Sequence, residues 1–240
     1  MVLKLYGYGP STCTRRVRTV LEEKGLEYEL PALDVLAGAH RTDEYAEEFH
    51  PFKKIPVLID TETGIKVYES RAIAHYIAVK YRDTGIDLSP SESDLKAYAG
   101  FQQVIFFSKN CYVVWISADP CQALSIELSY FDTNTTRITW EKVFKKVLNL
   151  GPADEDVVKA KLEDLDKALQ GYERILSKQK YLAGDNITLA DLFHLPYGDM
   201  SEPFGFGELL TKYPATEKWW NGLKERESWK KVNVKHEEAK

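Results

Sequence analysis

The chain has 240 residues, 44% hydrophobic and 29% charged, which is enough apolar material for one large or two modest domains and too much for a disordered chain. No run approaches the ~18 uninterrupted apolar residues that a spanning helix needs, so no membrane association is expected. Thirty-two Lys and Arg against 37 Asp and Glu leave a net charge of -5, which argues against a nucleic-acid binder. Cys13, Cys111 and Cys121 cannot all pair with one another and lack zinc-like spacing, so no metal is expected and the set suits a reducing compartment. The N-terminus enters strand-like alternation directly, with no secretory succession, and a cytoplasmic location is the expectation.

In chain order, Val2 to Tyr8 reads as a strand and Ser11 to Lys24 as a helix with Val17, Val20 and Leu21 on one face and Gly25 as its stop. Glu27 to Pro31 is a second strand, parallel to the first because a helix-length crossover separates them. A mobile stretch through Gly38, His40 and Arg41 leads into a short helix around Thr42 to Phe49. Ile55 to Ile59 and Ile65 to Tyr68 flank a Gly-containing turn and predict an antiparallel hairpin, followed by a helix over Ser70 to Lys80. From Asp83 to Ser93 the composition is that of a linker. Beyond it the periodicity is helical. Val157 to Leu176 carries Leu162, Leu165, Leu169, Tyr172 and Ile175 at steps of three or four, a helix opens in Asp185 to Pro196, and Tyr213 to Trp229 forms the last one.

Asp94 to Gln103 begins a helix that residues 104–122 interrupt with 19 residues holding only Lys109 and Asp119 as charges. Joining Gln103 directly to Ala123 restores one apolar stripe of Tyr98, Phe101, Leu124, Leu128 and Phe131. We read the segment as a retained short intron, for which a Val codon beginning GT and a Gln codon ending AG are permissive. The other reading is a genuine insertion, a lid or hairpin over a substrate pocket.

Four separated segments carry a family resemblance. They are Ser11-Thr12-Cys13-Thr14-Arg15-Arg16-Val17, Pro51-Phe52-Lys53-Lys54-Ile55-Pro56-Val57, Tyr68-Glu69-Ser70-Arg71-Ala72-Ile73, and Tyr181-Leu182-Ala183-Gly184-Asp185-Asn186-Ile187-Thr188-Leu189-Ala190-Asp191. In that order and spacing the chain resembles a glutathione transferase, most closely the serine-type phi class of plants and fungi. The resemblance implies an α/β plus all-α fold: a thioredoxin-like, glutathione-binding domain over 1–82 (βαβ, helix, ββ, α), a linker over 83–93, and an all-helical domain over 94–240.

It also implies roles for particular residues. Ser11 reads locally as a helix N-cap; by resemblance its hydroxyl stabilises the thiolate of bound glutathione, with the helix dipole behind it. Ile55 and Pro56, the latter cis in thioredoxin-like folds, would present backbone to the cysteinyl part. Glu69 and Ser70 would receive the γ-glutamyl ammonium and carboxylate, the alternative for Ser70 being simple capping. His40 and Arg41 stand where the family places groups for the glycine carboxylate. Lys54 departs from the family's usual Gln, and serves an anionic tripeptide as a point charge.

Lowering a thiol pKa of ~8.5 by about two units raises ionisation at pH 7 from roughly 3% to roughly 75%. Reduced basicity takes back about 6–10-fold of that gain, so holding the electrophile beside the sulfur accelerates the reaction more, and the second domain is expected to build that pocket.

Cys13 points about 200° away from Ser11 on a helix and is expected to be a buried structural thiol. Thr188 and Asp191 form a capping box, a folding element. The expected activity is conjugation of the glutathione thiolate to small hydrophobic electrophiles, with glutathione peroxidase activity open on the same thiolate. Glutathione is a co-substrate, no further cofactor is implied, and a homodimer is. The alternatives are a ligandin that binds apolar molecules at the same cleft, or a transferase-like module of translation proteins, against which the lack of a further domain past Lys240 counts.

Overall fold

The structure, a computed structural model, describes residues 2–96, 98, 99, 101 and 126–233. Residues 104–122, with Cys111 and Cys121, lie outside the described residues. The chain divides into two units, Met1–Ser89 with Glu225–Lys240, and Pro90–Lys224.

In the first unit, alternation in β1 (Leu3–Tyr6) buries Leu3 and Leu5. Helix α1 (Thr12–Glu23) buries Val17, Val20 and Leu21; it ends where Gly25 takes a φ of +62° and the Leu26 N–H returns to Leu21 O at 3.0 Å. β2 (Tyr28–Glu29) lies parallel to β1, with Leu3 opposite Tyr28. Helix α2 (Asp43–Glu48) starts at Thr42, whose hydroxyl accepts from the Tyr45 N–H. β3 (Val57–Asp60) and β4 (Ile65–Tyr68) form the antiparallel hairpin, and α3 (Ser70–Lys80) follows. The sheet order is β2-β1-β3-β4, with β1 antiparallel to β3, and α1 packs on α3.

The order βαβ, helix, ββ, α matches the thioredoxin-like expectation, with local differences. The second strand is two residues rather than five. The stretch expected to be mobile contains a 3-10 turn, Ala39–Arg41. The start of the expected linker is fastened, because Arg82 donates to Ser89 O at 2.6 Å and Lys24 Nζ donates to Arg82 O at 3.4 Å.

The last helix differs more. The sequence places one helix over Tyr213 to Trp229, inside a domain running to residue 240. In the structure α9 (Pro214–Lys224) belongs to the second unit, whereas α10 (Glu227–Val232) belongs to the first; extended backbone at Arg226 separates them. α10 packs on α1, where the Arg226 guanidinium and Ser228 hydroxyl donate to the Glu23 carboxylate and the Arg15 guanidinium lies 5.3 Å from the Trp229 ring.

The second unit is helical. A helical run from 126 to 147 holds α4 (Thr133–Thr139) between two π-helical stretches, Glu127–Asp132 and Trp140–Phe144. Side chains bond carbonyls that the widened turns release: Thr133 Oγ1 to Leu128 O at 2.6 Å and Asn134 Nδ2 to Tyr130 O at 2.9 Å. α5 (Glu155–Leu176) buries Val158, Leu165, Leu169, Tyr172 and Leu176; Leu162 and Ile175, expected on the same face, are half-buried.

The helix expected over Asp185 to Pro196 is two, α6 (Leu189–Leu192) and α7 (Leu195–Ser201), because Thr188 caps the first and Pro196 begins the second. α8 (Phe206–Leu210) completes the set. The Thr188–Asp191 capping box is present, and the buried Asp191 carboxylate also accepts from the Leu182 N–H at 2.9 Å and Trp219 Nε1 at 3.0 Å. Among the described residues no helix is long and apolar enough to cross a membrane, and no group of three or more His, Cys, Asp or Glu could hold a metal ion.

Candidate active site

Ser11 occupies the N-cap of α1 with extended backbone, φ -61° and ψ 132°. Its N–H donates to Tyr8 O at 2.9 Å and its carbonyl accepts from the Arg15 N–H at 2.8 Å, yet its side chain makes no capping hydrogen bond. The hydroxyl is therefore not consumed by the helix end that holds it.

Gly7, just before this turn, is wedged. A Cβ there would meet Thr14 Oγ1 at 2.7 Å and Pro56 Cβ at 3.3 Å, so the start of α1 and Pro56 are neighbours. The Ile55–Pro56 peptide is cis. The segment before it is held by α2, where the Tyr45 hydroxyl donates to Lys54 O at 3.1 Å; burial pushes that phenol up to about 12. Lys53, at a φ of +54°, pairs with Asp43 at 2.5 Å, whereas Lys54 is exposed.

His40, Arg41 and Lys54 converge. His40 is half-buried with Nδ1 unpaired. Burial first, then the Arg41 and Lys54 charges, lower its pKa and favour the neutral ring. Two fixed cations beside a neutral imidazole suit a carboxylate.

Glu69 precedes α3 at φ 69° and ψ 114°, a sparsely populated conformation for a residue with a side chain. Its Oε1 lies 3.8 Å from Nε2 of the buried His50. The His50 Nδ1 accepts from the Phe52 N–H at 3.2 Å, which assigns the ring hydrogen to Nε2, facing Glu69. Burial lowers the His50 pKa, outweighing Glu69. Ser70, the first residue of α3, is buried and accepts from Arg16 Nη1 at 2.9 Å. The simple capping role weighed for Ser70 is not what the structure gives: Glu69 holds the N-cap position.

The structure thus gathers Ser11 and Pro56 through Gly7 and Thr14, His40 and Arg41 around Lys54, and Glu69 and Ser70 against His50 and Arg16. Cys13 is half-buried rather than buried, with its Sγ 3.8 Å from Arg16 Nη1. Sequence reasoning missed Arg16, His50 and Tyr45. Arg16 alone left a signal, since it stands one turn before Val20 on the buried stripe of α1.

Two family models match the chain, the glutathione S-transferase N-terminal domain over residues 1–79 and the C-terminal domain over residues 132–227. A glutathione S-transferase of Arabidopsis thaliana is 42% identical over 223 residues, covering 92% of this chain and 90% of its own. One from Hypomyces subiculosus is 40% identical, covering 98% of this chain and 99% of its own. A crystal structure of a glutathione transferase from Populus trichocarpa superposes with a TM-score of 0.81 at 33% identity over 96% of this chain and 97% of its own. Glutathione S-transferase I from maize, in complex with an atrazine glutathione conjugate, does so with 0.79 at 30% identity over 97% and 96%.

The chain therefore belongs to the glutathione S-transferase family, of the phi type that its serine motif resembles. It is a conjugating glutathione transferase rather than a ligandin-type binder.

Proposed function

We propose that Ser11 is the residue that activates glutathione here, donating its hydroxyl hydrogen to the thiolate. The observation that carries this reading is the helix-capping position of Ser11 combined with a side chain that makes no capping bond. The dipole of the twelve-residue α1 favours the same charge. The remaining tripeptide is assigned by group chemistry. Ile55 and Pro56 offer main chain to the cysteinyl unit, Ser70 takes the γ-glutamyl carboxylate, Glu69 takes its ammonium, and His40, Arg41 and Lys54 surround the glycine carboxylate.

The electrophile is a small hydrophobic molecule attacked by the bound sulfur. No resident cofactor or metal is assigned, and neither nucleic acid nor membrane is a partner. We assign glutathione binding to residues 1–82, and a cytoplasmic location, which the free Cys13 thiol suits. We also assign a homodimer, which fits apolar Ile65 and Tyr68 exposed on edge strand β4.

A hydrogen bond to a charged group contributes about 1.5–3 kcal/mol, equivalent to about 1–2 units in the thiol pKa. Ser11→Ala should therefore move the pH profile of kcat/KM with an aryl halide upward by about that amount, glutathione still binding. A profile that stays in place in a variant that binds glutathione would remove Ser11 from this role.

A further inference from the structure

We propose that Arg16 is a positioning residue for glutathione: it fixes the Ser70 hydroxyl as a donor and thereby sets the enzyme's selectivity for the γ-glutamyl carboxylate. This rests on the assignment of Ser70 to that carboxylate.

A guanidinium carries five donors and no acceptor. In the 2.9 Å contact between Arg16 Nη1 and Ser70 Oγ, the serine oxygen is therefore the acceptor, and its own hydrogen must point elsewhere. Among the described residues no group accepts that hydrogen. Ser70 also opens α3, where the preceding turn offers no helical carbonyl for a back-bond. The hydroxyl hydrogen is left for a ligand acceptor on the side away from Arg16.

The guanidinium does more than orient. Arg16 is 1% exposed, so its charge acts through protein rather than water and polarises the hydroxyl it donates to. The guanidinium has no acceptor to offer, so the Ser70 oxygen facing it can only accept and the serine hydrogen stays directed elsewhere. A neutral donor in place of Arg16 would leave the serine free to rotate. Because α1 also carries Ser11, one helix holds both the proposed thiolate donor and the group that orients the carboxylate donor.

The test compares glutathione with its analogue carrying 4-aminobutyryl in place of γ-glutamyl, which lacks only the α-carboxylate. Affinities of the full chain for both ligands are measured for wild type, Ser70→Ala, Arg16→Met, Arg16→Lys and the Arg16→Met/Ser70→Ala pair. Each Ser70 or Arg16 truncation should cut the preference for glutathione over the analogue by about tenfold. The double variant should lose no more than either single one, because the two act as a unit.

Arg16→Lys keeps the charge without the rigid fork and should recover part of the preference. In the Arg16 variants KM for glutathione should rise by more than kcat falls. If Arg16→Met does not fold, Arg16→Lys decides by the same ratio, with an unchanged preference overturning the inference. Equal weakening toward both ligands in a folded Arg16 variant would make the role merely structural and overturn it as well. An unchanged preference in Ser70→Ala would instead sink the assignment of Ser70 on which the inference stands.

Discussion

Asp60 ties the hairpin to α3, and replacing it with Asn should cost the first unit about 2–3 kcal/mol. The buried carboxylate accepts from the Tyr76 hydroxyl at 2.6 Å and Lys80 Nζ at 2.5 Å through Oδ2, and from the Glu62 and Thr63 N–H groups at 3.0 and 3.3 Å through Oδ1. An Asn side chain has the same shape but only one acceptor oxygen. If that oxygen keeps the two backbone donors, its amide faces an ammonium and a hydroxyl, and the charge-assisted bond to Lys80 is lost at about 1.5–3 kcal/mol. Glu62, whose Oε2 lies 2.9 Å from Lys80 Nζ, softens the penalty for the stranded cation, which keeps the cost below that of breaking a fully buried pair.

Acid gives an independent measure. Burial pushes the Asp60 carboxyl up, but the Lys80, Tyr76 and backbone donors outweigh it and hold the pKa at about 2. The unfolded value is ~3.9, so the folded state gains about 2–3 kcal/mol that is fully present above pH ~4 and is lost as pH falls through about 2; roughly half should be gone by pH 3. Urea unfolding followed by circular dichroism, with hydrogen exchange of the β3 amides, should show wild type above Asp60→Asn at pH 7 and the gap narrowing toward pH 3. Equal stabilities at pH 7, or a gap that does not narrow in acid, would refute the reasoning.

Other outcomes follow from local geometry. A Cβ on Gly198 would sit 2.3 Å from the Trp220 ring and 3.1 Å from Phe131, so Gly198→Ala should destabilise the helical unit by about 1–3 kcal/mol, read as a lower urea midpoint. A lowered His40 pKa predicts that binding of a carboxylate beside it raises that pKa. S-hexylglutathione, whose sulfur does not titrate, should bind more tightly as pH falls below about 6.5 in wild type but not in His40→Asn, as calorimetry can measure.

Local chemistry was legible and distant pairing was not. The hairpin was readable because β-branched runs flank a Gly turn, and the Thr188–Asp191 box because its two members are three residues apart. The break between α6 and α7 was also written locally, in Thr188 and Pro196, but the apolar run across them masked it. The π-helical stretch Glu127–Asp132 has its Leu128 and Tyr130 carbonyls captured by Thr133 and Asn134, which periodicity does not encode. At the site, the motif residues could be named, whereas their supports could not. Arg16 reaches Ser70 across 54 residues and His50 reaches Glu69 from before the hairpin, so neither pairing appears in any window of sequence.

The pairing of Glu23 with Arg226 joins residues 203 apart and has a consequence for how the chain is made. On a ribosome the strands and helices that carry Ser11 and Ser70 emerge before the helical unit, but the surface of α1 that receives Trp229 and Arg226 waits until that unit has been synthesised. The unit bearing Ser11 is therefore begun before the helical unit and completed after it. Nascent chains arrested before residue 225 would expose the α10-facing side of α1, an opening for chaperones during the time the rest is built.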